Sequence, residues 1–285
     1  MTTPVIETLP AMAGERSPLL KVLRLDLIHP VTGGNKIFKL KENIQEYRTG
    51  NYTGILSFGG PFSNHIAALA ETGKSLGIPT IGIIRGEERM TVTLERARRA
   101  GLQLRFVSRS TYRRYREAEN RKELLAEFGN VLIIPEGGSN DAGISGCKEI
   151  AGYIPQQHAT IVLPVGTGAT LVGLLQGLNG RNEVIGMKVV EAKQEIFIAE
   201  KLLEGSSKLL NYNLLSDYVF GGYARPDMEL DTFVADWNRK SSCQIEPIYT
   251  GRMFFGIMDL IQKGFFSPTD EILAIHTGGL QYLHD

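Results

Sequence analysis

Residues 160–175 read TIVLPVGTGATLVGLL, and this stretch predicts the class of the fold. It starts as an apolar run of strand length, passes through Gly166 and Gly168, and continues into small apolar residues. The run is apolar throughout rather than alternating, as expected for a strand buried on both faces of a parallel sheet. A strand, a glycine turn and a helix in this order indicate one βα unit of an α/β protein.

The same pattern recurs along the chain. Strand-length runs that end in glycine are GILSFGG (54–60), VLIIPEGG (131–138) and EILAIHTGG (271–279), with PTIGIIRG (79–86) and EVIGMKVVEA (183–192) as further candidates. Helical patterns lie between them at 64–76, 113–128 and 170–178. This alternation predicts an α/β protein with right-handed crossovers.

The composition argues against several classes of protein. Lys plus Arg equals Asp plus Glu at 31 each, whereas nucleic-acid and membrane-surface proteins normally carry excess positive charge. Cys147 and Cys243 lie far apart in sequence, and no HExxH or CxxC pattern is present, so we expect neither a disulfide framework nor a metal site. No apolar run could span a bilayer and the N-terminus lacks a signal pattern, so we expect a cytoplasmic protein.

Two glycine-flanked turns are candidate ligand sites, because ligands of open α/β sheets bind at the carboxyl ends of strands. GTGATLVG (166–173) opens a helix and offers the hydroxyls of Thr167 and Thr170, which suits a phosphate, although a plain strand-to-helix turn explains it equally well. It is not a Walker A loop, because no Lys-Ser/Thr pair follows, and it is a poor dinucleotide fingerprint, because Leu171 stands at the third glycine position. The SNH triplet (63–65) can cap a helix, present its amides to a carboxylate, or do both.

The stretch TGGNKIFKLKENIQEY (32–47) predicts an amphipathic helix with Lys36 in its first turn, where the helix dipole disfavours a cation. Lys36 is therefore either a surface lysine or one whose pKa is depressed, and a neutral amine can form a Schiff base with an aldehyde. Lys39 lies three residues on and could reach an anion of the same ligand, whereas Lys41 is expected to be solvated. A lysine that can bond an aldehyde and a loop that can bind a phosphate together suggest pyridoxal 5′-phosphate (PLP).

Taken together, the motifs resemble the 1-aminocyclopropane-1-carboxylate (ACC) deaminase and D-cysteine desulfhydrase family of tryptophan-synthase-β-like PLP enzymes. The resemblance runs nearly end to end. Its motifs are RLDLIHPVTGGNKIFKLKEN, SFGGPFSNHIAALA, IPEGGSNDAG, VGTGATLVGL, GGYARP, EPIYTGRMFFGIMDL and IHTGGLQ.

The resemblance implies a role for each matching residue. Lys36 would hold PLP covalently and move protons, Lys39 would lie on the phosphate side, and Asn64 would lie beside the cofactor ring. Ser63, with the amides of Asn64 and His65, would bind the substrate carboxylate. The phosphate loop would consist of Gly166, Thr167, Gly168, Ala169 and Thr170. The tyrosines expected to face the substrate are Tyr223 and Tyr249.

Two positions, Thr250 and Thr277, would contact the cofactor and bear on the substrate, since the glutamate that other members carry at the first of them faces the nitrogen of the cofactor ring. ACC deaminases carry glutamate and leucine at the positions of Thr250 and Thr277, whereas threonine at both, as here, resembles the D-cysteine desulfhydrase branch. The resemblance therefore favours conversion of D-cysteine to pyruvate, hydrogen sulfide and ammonia. Alternatives are an ACC deaminase that forms 2-oxobutyrate and ammonia, a serine racemase or dehydratase, and a PLP-binding paralogue without turnover.

The same resemblance implies a fold type II PLP enzyme, with two open, twisted, mostly parallel sheets flanked by helices. Residues 1–39 and 145–285 would form the larger, PLP-holding domain and residues 40–144 a smaller α/β domain, with the active site in the cleft between them. The expected partners are a small amino-acid substrate and a second copy of the chain in a homodimer.

Overall fold

The computed structural model describes residues 2–10, 17–29, 32–156, 159–190, 211–222 and 225–280. The chain forms two compact units, a larger one of Met1–Asn35 with Cys147–His284 and a smaller one of Lys36–Gly146. The divisions follow Asn35 and Gly146, whereas the domain limits expected from sequence followed residues 39 and 144.

The described residues form ten strands and a set of α-helices between them. The strands are β1 Val5–Thr8, β2 Leu19–Arg24, β3 Gly54–Gly59, β4 Thr80–Arg85, β5 Gln103–Val107, β6 Val131–Ile134, β7 Ala159–Val165, β8 Val184–Lys188, β9 Tyr212–Leu215 and β10 Glu271–His276. The helices are α1 Asn35–Thr49, α2 Asn64–Leu76, α3 Val92–Arg99, α4 Arg109–Arg116, α5 Arg121–Phe128, α6 Asp141–Cys147, α7 Ala169–Leu178, α8 Met228–Lys240 and α9 Thr250–Gln262.

The sheet of the larger unit has the strand order β1-β2-β10-β7-β8-β9. Among the described strands of this sheet, β1 and β2 pair antiparallel, and the other pairs are parallel. Its core includes Val162 of β7, Ile185 of β8 and Ile272 of β10, all with no exposed surface. On this core α8 packs against α9, where the rings of Trp237 and Phe254 lie 4.6 Å apart.

The sheet of the smaller unit is wholly parallel, with the order β5-β4-β3-β6. Successive side chains of one strand enter two different cores: Ile84 packs on the side of α2 and α3, and Ile83 on the side of α4 and α5. Side chains alternate between the faces of a strand, so a strand covered on both faces must be apolar at every position. This burial explains why the strand runs do not alternate in sequence.

The predicted fold class is confirmed, since both sheets are mostly parallel and flanked by helices. Helix α2 covers the predicted residues 64–76, and it ends at Gly77 in the left-handed conformation with φ 66°. Among the described residues, the structure contains no helix long and apolar enough to cross a bilayer. The described part of the chain also has no group of three His, Cys, Asp or Glu side chains placed to hold a metal ion.

The single helix predicted at 113–128 is wrong, because two helices occupy this region. Helix α4 starts earlier, where Ser108 accepts a hydrogen bond from the Thr111 amide at 3.1 Å. It stops at Glu117, whose extended backbone (φ −73°, ψ 135°) cannot continue a helix. The Asn120 side chain then donates to the Arg114 carbonyl at 2.9 Å, and this carbonyl also accepts from the Glu117 amide at 3.1 Å.

Candidate active site

Two glycine motifs meet in the larger unit. Gly34, before α1, pairs with Gly278, after β10, in an isolated antiparallel bridge, and the Asn35 amide donates to the Thr277 carbonyl at 3.2 Å. A Cβ atom on Gly34 would lie 2.2 Å from that carbonyl oxygen, and the Gly34 φ of +121° disfavours any L side chain. The start of α1 is therefore held against the carboxyl end of β10 by a contact that requires glycine.

Asn35 links the start of α1 to the predicted phosphate loop. Its side-chain amide donates to the Thr170 hydroxyl at 2.9 Å, and both residues are buried. The loop itself turns at Gly168, which has φ 83° and precedes the first residue of α7. The first amides of a helix have no acceptor within it, so this turn offers donors to an anion. Sequence reasoning missed the role of Asn35, although a buried amide directly before the candidate lysine was its signal.

Tyr249 lies against the same loop. A Cβ atom on Gly166 would come within 3.2 Å of the Tyr249 ring, so the ring packs on the glycine backbone. Thr277, a further predicted cofactor residue, is largely buried and gives its carbonyl to Asn35. Tyr223, the other predicted tyrosine, lies outside the described residues.

Glu246 fixes the turn that carries Tyr249 and Thr250, and sequence reasoning missed it. Its side chain is fully buried. One carboxylate oxygen accepts from the Tyr249 and Thr250 amides, each at 2.8 Å, and the other accepts from the Ile248 amide at 2.7 Å. Burial raises the pKa of the Glu246 carboxyl, and the hydrogen bonds from these amides oppose that shift. An acidic residue four positions before a helical threonine was the available sequence signal.

The Thr250 hydroxyl is engaged in the same turn. It accepts from the Glu246 amide at 3.0 Å and lies 3.2 Å from a Glu246 carboxylate oxygen, to which it donates its proton. Thr250 therefore has only a lone pair left for a further hydrogen bond. Its predicted contact with the cofactor ring stays a prediction, and this geometry limits Thr250 there to the role of acceptor.

Arg252, one turn into α9, binds backbone carbonyls with its buried guanidinium. It donates to Val219 at 2.6 Å and to Gly222 at 2.8 Å, and it also bonds the Val189 carbonyl at the end of β8. Burial lowers the pKa of Arg252, and the charge of Glu246 opposes that shift. Arg252 thus holds the segment that leads to Tyr223 against the first turn of α9.

The SNH triplet opens α2 in the smaller unit. Ser63 is the residue before the helix, and its hydroxyl accepts from the Ile66 amide at 3.3 Å, so the capping role holds. By the same rule as in α7, the amides of Asn64 and His65 at the start of the helix can serve an anion. Asn64 Oδ1 is buried and has no hydrogen-bond partner among the described residues.

The three lysines of the opening helix differ in environment. Lys36 is half-buried in the first turn of α1, Lys39 is buried at 3% exposure, and Lys41 is exposed. The Lys39 amine donates to the Gly137 carbonyl, after β6, at 3.1 Å. Its predicted role beside a phosphate stays a prediction, while the solvated position expected for Lys41 agrees with the structure.

His65 is a buried histidine within reach of these charges. Its Nε2 atom lies 2.9 Å from the Ser57 hydroxyl. Burial first, and then the charges of Lys36 and Lys39, lower the pKa of His65 well below 6.5. The imidazole is therefore neutral near pH 7.

Comparison with known proteins identifies the family. A sequence profile described as pyridoxal-phosphate dependent enzyme matches residues 2–278. The chain belongs to this family. Membership implies PLP as cofactor, and the larger unit fits it. The Gly166–Thr170 loop offers helix amides to a phosphate, and Asn35, the residue next to Lys36, donates a hydrogen bond to Thr170 of that loop.

The similar curated proteins agree with this assignment. A protein of Pyrococcus abyssi is 30% identical over 96% of this chain and 88% of its own length. Its name proposes that it is an ACC deaminase. A protein of Thermotoga maritima with the same name is 28% identical, over 91% of this chain and 88% of its own length.

The solved structures agree in fold. A crystal structure of an ACC deaminase homologue superimposes with a TM-score of 0.85 at 27% identity, over 98% of this chain and 90% of that one. A fungal L-serine ammonia-lyase from Rhizomucor miehei has a TM-score of 0.70 at 17% identity, over 98% of this chain and 94% of its own, which supports the fold alone. The chain thus has the fold type II architecture of PLP-dependent enzymes.

The contact between the two glycine motifs gives a first prediction. Gly34→Ala should lower the free energy of unfolding by about 1–3 kcal/mol more than Gly86→Ala, because overpacking adds to the backbone strain. Gly86 is the matched control, since its φ is +107° with no atom within 4 Å of a Cβ position. Urea denaturation measures both variants, and equal losses would show that the bridge with Gly278 tolerates a side chain.

The Glu246 cap gives a second prediction. Glu246→Gln should lower the free energy of unfolding by about 1–3 kcal/mol. The side-chain amide of glutamine would place an N–H donor opposite a buried backbone N–H, and that hydrogen bond would be lost. The exposed Glu88→Gln is the control and should change little. Thermal denaturation of both variants without cofactor measures the difference, and similar midpoints would contradict the role assigned to Glu246.

The buried histidine gives a third prediction. The unfolded chain takes up a proton at His65 below pH 6.5 and the native chain does not, so His65 makes the protein less stable as pH falls. This effect amounts to at most about 2 kcal/mol between about pH 7 and pH 5. His65→Gln should therefore show a shallower pH dependence of unfolding than the wild type, and an equal or steeper slope would mean that native His65 is charged.

Proposed function

We propose that this protein is a PLP-dependent lyase of a small amino acid, with D-cysteine as substrate and pyruvate, hydrogen sulfide and ammonia as products. The observation that carries the proposal is the Thr250 hydroxyl, already committed to Glu246 at the position where the resemblance places a glutamate in ACC deaminases. A hydroxyl that can only accept there does not supply a carboxylate's charge to the cofactor ring. The weaker electron sink suits loss of a good leaving group such as sulfide better than opening of a cyclopropane ring.

The cofactor, when bound, supplies the sink for the negative charge that develops at the α-carbon of the substrate. Lys36 is proposed to anchor the cofactor and to remove the α-proton with its amine. Lysine serves this purpose when its environment keeps the amine neutral, and the first turn of a helix favours that form.

The remaining residues bind and orient the substrate. The Ser63 hydroxyl and the first amides of α2 are proposed to bind the substrate carboxylate, as helix N-termini bind anions. Tyr249, held by Glu246 through its amide and packed on Gly166, is proposed to exchange a proton with the leaving group. With one water consumed, D-cysteine then yields the three products in balance.

Deamination of ACC is the second candidate, because the names of the similar proteins point to it. It would use the same anchor and the same carboxylate site, with Tyr249 assisting ring opening. A homodimer in the cytoplasm remains our expectation for either reaction.

The test compares substrates and lysines. Wild-type protein loaded with PLP is assayed for keto acid and sulfide with D-cysteine, L-cysteine, D-serine and ACC, and we expect the highest kcat/KM with D-cysteine. Lys36→Ala should lose visible cofactor absorption and at least about 100-fold in kcat, the scale of a positioned proton-transfer group. Lys41→Ala is the matched control, and it should keep both properties.

The outcomes separate the parts of the proposal. Rapid turnover of ACC without turnover of D-cysteine would overturn the interpretation of Thr250 and Thr277 and leave Lys36 in place. Full absorption and activity in Lys36→Ala would instead overturn the anchor.

A further inference from the structure

The side chain of His65 lies at a position where ligands of parallel sheets bind. It belongs to the first turn of α2, directly after β3, and is 2% exposed. On one side it packs on Gly138, where a Cβ atom would come within 3.3 Å of His65 Cε1 and 3.2 Å of Lys39 Cβ. The backbone amide of His65 has been assigned to the substrate carboxylate, but its imidazole has no role in the site described above.

The hydrogen bonds of Ser57 decide which ring nitrogen carries the proton. Ser57 Oγ lies 2.8 Å from the Ile134 carbonyl and 2.9 Å from His65 Nε2. A carbonyl oxygen can only accept, so the single proton of Ser57 goes to Ile134. The Ser57 oxygen must then accept from Nε2–H, which fixes His65 in the Nε2-protonated tautomer and leaves a lone pair on Nδ1.

That Nδ1 atom is buried and has no hydrogen-bond partner among the described residues. His276 shows the alternative: its Nε2 lies 2.8 Å from the Gln244 carbonyl, and its Nδ1 accepts from the Gly278 amide at 3.2 Å. A buried acceptor without a partner is costly, about 1–3 kcal/mol, and such atoms call for an explanation.

The surroundings indicate what the partner must offer. Asn64 Oδ1, on the preceding residue, is a second buried acceptor without a partner in the described part of the chain. Burial keeps the imidazole uncharged, and the nearby positive charge of Lys39 acts in the same direction. Nδ1 therefore remains an acceptor near neutral pH, and the group that pairs with it must carry an N–H, O–H or S–H.

We propose that His65 is a further substrate-binding residue, whose Nδ1 accepts a hydrogen bond from the side-chain hydroxyl or thiol of the bound amino acid. This inference rests on the proposed placement of the substrate at the start of α2. Ser57 is a positioning residue, because it acts on the ligand only through the tautomer of His65.

The test begins with the ring nitrogens. Two-dimensional NMR of the protein labelled with 15N at histidine should show His65 as the neutral Nε2–H form from about pH 5.5 to pH 8, the range in which an ordinary histidine titrates. His65→Gln assigns the signal, and Ser57→Ala should release the tautomer preference. A cationic ring or an Nδ1–H form at pH 7 would overturn the proposal without any assay of activity.

The ligand is then supplied in two forms to the PLP-loaded protein. D-alanine brings no side-chain donor, and D-serine adds a hydroxyl. A change of the Nδ1 resonance with D-serine that D-alanine does not cause would support the proposal. Equal changes with the two ligands, or no change with either, would overturn it, whereas a change specific to D-serine in a protein that does not convert D-cysteine would contradict only the substrate proposed above.

A pair of variants separates binding from a structural role. An asparagine at position 65 can place an oxygen where Nδ1 lies, and a glutamine can place a nitrogen where Nε2 lies. If Nδ1 binds the substrate, His65→Gln should raise the KM for D-cysteine about 2–10-fold, the worth of one hydrogen bond, and His65→Asn should raise it less. A larger loss in His65→Asn would mean that the contact with Ser57 is what matters, and would overturn the ligand role.

Discussion

The close approach of Gly34 to the backbone of Thr277 and Gly278 is the constraint on which the site of the larger unit depends. A Cβ atom at position 34 would lie 2.2 Å from a carbonyl oxygen, so no other residue fits without movement of the backbone. This contact sets where α1 begins. It thereby places Asn35 within 2.9 Å of the Thr170 hydroxyl and brings the next residue, Lys36, to the first turn of the helix.

The turn before α9 depends on buried polar side chains, because it lacks regular structure to pair its backbone. Glu246 accepts from amides, and Arg252 donates to carbonyls, so each compensates its own burial with backbone dipoles. Burial lowers the pKa of Arg252, and the charge of Glu246 opposes that shift. Tyr249 and Thr250 are oriented by this arrangement, and the chemistry proposed for them follows from it.

Two buried histidines illustrate how the surroundings decide what one residue type does. His276 uses both ring nitrogens on backbone groups and closes the end of β10. His65 uses one nitrogen on Ser57 and keeps the other as a buried acceptor. The burial of both rings is similar, but their hydrogen bonds differ, and His276 Nδ1 also lies 3.3 Å from the Asp26 carboxylate, whereas lysines lie near His65.

The sequence by itself determined the fold class, the limits of α2 and the family, because these depend on local signals. Apolar runs, glycine turns and helix caps act over a few residues and can be read in order. The prediction of one helix at 113–128 was wrong because it relied on the same local signals. The apolar periodicity continues across Glu117, where the backbone is extended. The roles proposed for Lys36, Ser63 and the Gly166–Thr170 loop came from matching motifs rather than from geometry.

Only the tertiary structure decided how the site residues are held. Asn35 and Thr170 are 135 positions apart, and Ser57 and Ile134 are 77 apart, so no local pattern could pair them. Glu246 is close in sequence to the residues it binds, yet its importance depends on complete burial and on amides that the turn leaves open. Such hydrogen bonds depend on the distance between donor and acceptor and on their burial. Both quantities are set only when the chain folds.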